Sequence, residues 1–411
     1  MNRGEALPKR TPLVDAYWFQ EGPGVRNWQF RDSGVKLLNV ANIEKNGALN
    51  LDKTSRHLSL AEVQERYSHF LIDAGDLVIA SSGISFDADG MLRTRGAFVN
   101  AADLPLCLNT STIRFKAKPG ISELRYLKHW LNSLEFRQQI TMRVTGSAQQ
   151  NFGPSHLAAL TISLPLIPEQ RRIAAILDQA DALRAKRREA LAELDSLPQS
   201  VFIEMFGDPA RNPKAWPVIA LSKLVRDDDS INYGVVQPGD ALDEGVPLIR
   251  VGDLVDGEFS GSILKRIDPG IESAYKRSRL RGDEVLVSCV GSIGVTVLAT
   301  PAMKGFNIAR AVARIPLAEG VNRIFVASYL RTDAVQNYFT GELRTVAQPT
   351  LNIKQIAETK VFTPPLALQK CFATRIQAIE SLKATQRAAL AESDALFASL
   401  QHRAFAGQLS S

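Results

Sequence analysis

Arginines on glycine-bracketed loops are the side chains of this chain whose type and spacing suit hydrogen bonding to a nucleic acid. The stretch from Gly83 to Gly96 holds Arg93 and Arg95. A planar guanidinium donates bidentately to the O6 and N7 of guanine, so both are candidate base readers, with solvated surface as the ordinary alternative. Lys276, Arg277, Arg279 and Arg281 form the densest basic cluster, which reads either as a DNA contact or as a solvated turn. Arg310 and Arg344 are further candidates. Tyr233 and Trp28 could stack on bases or sugars, although packing is the ordinary role of such rings.

Bond-making chemistry finds little support. Cys107, Cys289 and Cys371 are too scattered for a disulfide framework or a thiolate cluster. His69, with Glu65 and Asp73 four residues to either side, is a poor ligand set, so no metal is expected. No glycine-rich phosphate loop occurs, and Gly291 to Gly294 reads as a turn or bulge. The adenine methyltransferase tetrapeptide needs an aromatic to stack a flipped base. Asn212-Pro213-Lys214 and Pro364-Pro365-Leu366 both lack it. Glu358 and Lys360 match the end of a nuclease metal motif, but no upstream Asp completes it, which leaves plain surface as the reading.

The elements that must position the arginines come in two copies. When Ala148 is laid on Ala347, the chain matches itself without a gap to Phe206 on Phe405. Leu157 then meets Ile356, Pro165 meets Pro364, Gln170 meets Gln369, Leu183 meets Leu382 and Asp195 meets Asp394. Upstream, Gly34 to Ile43 resembles Gly245 to Leu254, and Gly75-Asp76 resembles Gly282-Asp283. Short β-branched runs at 35–40, 76–81, 111–115, 247–251, 284–289 and 311–315 predict strands, with helices over 123–141 and 323–339. The fold class is therefore α+β: two β-rich modules separated by two long, mutually packed antiparallel helices, a pseudo-two-fold internal repeat.

Pro168 and Glu169 open the first long helix. Its heptad stripe runs through Ile173, Ile176, Leu183 and Leu194, and the copy carries Phe372, Ile379, Leu382 and Leu396. These apolar positions are expected to pack the two helices together, with Pro198 breaking or kinking the first near its end. From Glu169 to Ser196 such a helix spans roughly 42 Å at about 1.5 Å per residue. A turn of DNA advances about 34 Å. The expected boundaries are 1–165, 166–207, 208–364 and 365–411.

Composition agrees with this plan. The chain has 411 residues, 45% hydrophobic and 22% charged, which is globular and long enough for more than one core. A net charge of +6 permits a polyanionic partner without demanding one. Neither a secretion signal nor a run of 18 apolar residues is present, so the expected location is cytoplasmic.

A β-rich module, then Ile162 to Ala174 with Pro168-Glu169-Gln170 opening a long helix that ends near Phe206-Gly207, then the same plan again, resembles the specificity subunit of type I restriction–modification systems. At the second helix entrance Ala367-Leu368-Gln369 replaces Pro168-Glu169-Gln170. The resemblance implies two target recognition domains, each reading half of a bipartite asymmetric DNA site. It implies helices that set the spacing and dock two methyltransferase subunits, with motor–nuclease subunits in the full complex. It also implies no catalytic site in this chain. S-adenosylmethionine, ATP and Mg would be used by the partner subunits, and no membrane is involved.

If the halves read different half-sites, shared polar residues are framework and differing ones are readers. Gln149 with Gln348, Asp76 with Asp283, and Arg114 with Arg314 then look like fold-holding or phosphate-positioning groups. Two competing functions are a metal-dependent nuclease using Glu358 and Lys360, and a scaffold whose modules bind protein.

Overall fold

The computed structural model describes residues 10–83, 85–86, 91–144, 151–255, 257–261, 263–342 and 349–409. It divides into two compact units, one formed by residues 1–187 with 389–411 and the other by 188–388.

The first unit holds strands β1 (Tyr17–Glu21), β2 (Val35–Leu37), β3 (His57–Leu58), β4 (Leu77–Ala80), β5 (Gly96–Phe98), β6 (Leu106–Cys107) and β7 (Thr112–Ala117). Helices α1 (Leu124–Leu131) and α2 (Leu134–Thr141) follow. One sheet has the order β1-β7-β4-β5 and the other β3-β2-β6, with β2 and β6 parallel. β4 is buried at all four positions, as a strand covered on both faces must be. The helix expected over 123–141 is two helices. Ser133 caps the second one by accepting from the Phe136 amide at 3.2 Å, which starts a new helix there.

The second unit repeats that topology. Its strands are β8 (Asn232–Tyr233), β9 (Val246–Ile249), β10 (Lys265–Ile267), β11 (Val285–Ser288), β12 (Thr296–Leu298), β13 (Asn307–Ile308) and β14 (Val312–Ile315). They form sheets β8-β14-β11-β12 and β10-β9-β13, with β9 and β13 parallel. Two helices follow, at Arg323–Leu330 and Asp333–Gly341. Gly291 and Gly294 lie in the turn joining β11 to β12, both with positive φ. All six strands expected from the sequence are present, each within a few residues of its expected ends.

Two long helices complete the chain, Ile167–Phe206 and Leu366–Phe405. Their ends coincide under the same self-alignment that places Ala148 on Ala347. The first runs through Pro198 without stopping and ends at Gly207, whose φ of 83° suits glycine as a helix terminator. In the first unit, Ile173 and Leu177 share a core with Tyr126, Trp130 and Phe405. In the second, Phe202 and Phe206 share one with Phe325, Phe362 and Phe372. Full burial of such side chains contributes roughly 1.5–3 kcal/mol each.

The inner face of each helix differs from the expected stripe by one residue at every second position. Ile173, Leu177 and Leu194 face inward, as do Phe372 and Ile376, while Leu183, Leu382 and Leu396 are 48%, 47% and 57% exposed. Ile176 and Ile379 are half-buried. In place of Leu183 and Leu382 the inner positions hold Arg184 and Lys383, which cover apolar surface with their stems and pair their charged ends. Among the described residues no helix is long and apolar enough to cross a membrane.

Candidate nucleic-acid interface

Each unit is locked by the same three devices. The first is a buried glutamine at the entrance of the long helix. Gln170 accepts from the Glu123 amide at 2.9 Å and donates to the carbonyls of Ile121 and Pro165 at 2.9 and 2.8 Å. Gln369 accepts from the Asn322 amide at 3.1 Å and donates to the Pro364 carbonyl at 2.8 Å. Both tie the first helical turn to the start of the short helix that packs against it.

The second device is a buried arginine on the central strand. Arg114 faces Val78 across the ladder and Arg314 faces Leu286. Arg114 lies 3.7 Å from Asp76 and donates to Gln20 and the His69 carbonyl at 2.8 Å. Arg314 pairs with Asp229 and lies 3.1 Å from Glu284. Strand register therefore makes Glu284, not Asp283, the counterpart of Asp76; Asp283 pairs with Arg226. Both arginines are buried and paired within their own unit, which makes them framework. Burial pushes the Asp76 carboxyl above its ordinary range and Arg114 below its own, with the charges of each favouring the other.

The third device follows the short helix pair of each unit. Gly153 donates its amide to His156 Nδ1 at 3.1 Å, and Asn352 donates to Gln355 Oε1 at 2.7 Å, so the same capping contact is made twice with different side chains.

Around this frame the candidate readers fall unevenly. Arg93 is exposed at the end of a two-residue strand paired to Ser85–Phe86. Arg95 is half-buried, with Nη1 3.4 Å from the Ile43 carbonyl. Arg277 and Arg310, both exposed, flank the stretch 230–235. Arg277 lies 3.4 Å from the Ser230 hydroxyl, and its carbonyl accepts from Asn232, while the Arg310 amide donates to Val235. Lys276 is exposed on the same short turn. Arg279 instead forks onto buried Glu272, which also accepts from Asn307. That fork is used inside the protein. Trp28 is 71% exposed, whereas the Tyr233 hydroxyl donates to the Leu351 carbonyl at 2.9 Å. Gln149, Arg344 and Gln348 lie outside the described residues.

Glu358 is exposed, with Lys354 3.9 Å away as a surface pair. Among the described residues no three His, Cys, Asp or Glu side chains converge to hold a metal.

Residues missed by the sequence reading are Glu21, beside a polar cavity of the first unit, and the ion pairs Arg184–Asp394 and Lys383–Asp195. The self-alignment held the signal for the ion pairs. A base stands at both 184 and 383, and an acid at both 195 and 394.

Comparison with known proteins gives a consistent picture. Residues 31–194 match the family model described as the type I restriction modification DNA specificity domain. Over 333 residues the chain is 27% identical to the Type I restriction enzyme EcoBI specificity subunit of Escherichia coli, covering 74% of this chain and 70% of that protein. Two solved structures share its fold. One, from work on complex assembly and conformational transition of the type I R-M system, has 19% identity, a TM-score of 0.55 and coverage of 98% and 100%. The other, a Type-I restriction-modification system S subunit from M. genitalium, has 15% identity, a TM-score of 0.55 and coverage of 98% of each chain.

Proposed function

We propose that this chain is a DNA specificity subunit of the type I restriction–modification family and that its parts divide the work. Residues 1–165 and 208–364 form two recognition domains, each reading one half of a bipartite double-stranded site. The helices over 166–207 and 365–411 set the interval between half-sites. The single observation that carries this reading is repetition with variation. Sheets, buried glutamine and buried arginine recur in each unit, while exposed Thr110 and exposed Arg310, each four residues before its unit's buried arginine, differ.

Exposed leucines support two equal partners. Leu183 and Leu197 recur as Leu382 and Leu396, two heptads apart on each helix and all at least 39% exposed. An apolar row of that kind on a charged helix suits a partner helix. We assign the rows to two methyltransferase subunits, with motor–nuclease subunits joining the full complex. The chain is non-catalytic. S-adenosylmethionine, ATP and Mg belong to the partners in this proposal, and the assembly works in the cytoplasm.

The test is binding by the chain co-expressed with its methyltransferase. Altering either half of the bound duplex should abolish specific binding. A complex without DNA affinity at low salt would favour a protein-binding scaffold instead.

A further inference from the structure

Glu21 ends β1 at the edge of a polar cavity in the first unit, lined also by Ser81, Thr110, Asn151 and His156. Strand pairing fixes its counterpart. Gln20 faces Arg114 and Asn232 faces Arg314, so Glu21 corresponds to Tyr233, and the glycines that follow, Gly22 and Gly234, also correspond. Both glycines are pressed against the neighbouring chain. A Cβ would come within 2.4 Å of the Asn109 amide in one and 1.6 Å of the Ile308 carbonyl in the other. The backbone therefore presents the preceding side chain in the same way twice.

What that side chain meets is different. Tyr233 donates to the Leu351 carbonyl and accepts from the Ile353 amide at 3.1 Å, closing its site with main chain on both sides. In the first unit the residue matching Ile353 is Pro154, which has no amide hydrogen, and the one matching Asn352 is Gly153, which has no side chain. A Cβ placed on Gly153 would stand 3.7 Å from Glu21 Oε2, so the carboxylate is over that glycine. Among the described residues no donor reaches it. Burial raises its affinity for a proton. Its oxygens face the polar cavity rather than the protein interior, so this carboxylate is open to a donor from outside the chain.

We infer that Glu21 is a specificity-determining residue of the first module, accepting a hydrogen bond from the N4 amino group of a cytosine in that module's half-site. A carboxylate is the side chain that cytosine N4 pairs with in the major groove, and it repels bases that present an acceptor there. Tyr233, closed by its own main chain, makes no such contact, so the device belongs to one half-site only. This rests on the proposal that each module reads one half-site.

The test is the specificity of the assembled complex, read by methylation-aware sequencing of cells carrying wild-type chain, Glu21→Gln or Glu21→Ala. The wild-type motif should require a G·C pair in the half-site of the first module. Both variants should lose discrimination there by about 5- to 150-fold, with the other half-site unchanged. Relaxation at an A·T pair, or at no pair of that half-site, overturns the assignment and leaves the modular reading standing. Relaxation in both half-sites overturns the modular reading itself. Thermal unfolding of the variant complexes at or above the wild-type temperature separates either result from misfolding.

Discussion

Lys383, on the inner face of the second long helix, lies 2.7 Å from Asp195 on the first. In the other unit Arg184, on the first helix, lies 2.5 Å from Asp394 on the second. Each base and each acid stands on its counterpart under the internal repeat. Arg184 also sits over the Phe397 ring at 4.2 Å, a contact that a planar guanidinium makes well. Charged layers inside an apolar seam set the register of paired helices more than they stabilise them.

A double-mutant cycle over Lys383→Ala and Asp195→Ala should give a coupling of about 0.5 kcal/mol, because Asp195 is 60% exposed and screened. Denaturant unfolding of the four proteins measures it. A coupling of zero would remove the pair from the account of register.

The buried glutamines should matter more. Gln170→Ala strands an amide and two carbonyls at the helix entrance, and Gln369→Ala strands one of each. Losses of about 2–3 kcal/mol are expected for the first and slightly less for the second. Chemical denaturation checks both the size and the order.

These two cases mark what the residues disclosed in advance. The repeat, the strands and the long helices were legible because apolar periodicity and self-similarity are local signals. The phase of the helix seam was not. Leu183 and Leu382 are the apolar choices, yet Arg184 and Lys383 turn inward because distant Asp394 and Asp195 neutralise them. Arg279, in the cluster read as a DNA contact or a solvated turn, pairs with Glu272, a partner seven residues away that pattern alone does not single out. The pairing of Asp76 with Asp283 failed by one position. Sheet register, which decides it, gives the place to Glu284.

The outward leucines give a prediction on assembly. Leu183→Glu with Leu197→Glu should leave stability within about 0.5 kcal/mol, since both side chains are already exposed. The purified complex should lose one methyltransferase subunit, and adding Leu382→Glu with Leu396→Glu should remove both. Mass measurement of the complex reads the count.

Acid sensitivity has a definite sign at Glu272. The Arg279 guanidinium bonded to it holds its carboxyl below the ordinary value of 4.5, outweighing the opposing effect of burial. A lowered folded pKa contributes stability above the ordinary carboxylate range and loses it as pH falls through the folded value. Glu272→Gln should therefore cost about 1 kcal/mol at neutral pH, with the gap to wild type closing in acid. Unfolding measured across pH tests this.

Glu21 has the opposite sign. Its raised folded pKa means that ionisation at neutral pH works against the fold. Glu21→Gln should raise thermal stability slightly at neutral pH, and the gain should vanish as the carboxyl protonates in acid.

The most direct measurement of the whole account removes seven residues from each long helix, at matching places, and reads the methylated motif of cells carrying the altered complex. Two half-sites unchanged in sequence, but closer by roughly 3 base pairs at about 1.5 Å per helical residue and 3.4 Å per base pair, are the expected result. Altered half-sites, or a gap that stays the same, would contradict it.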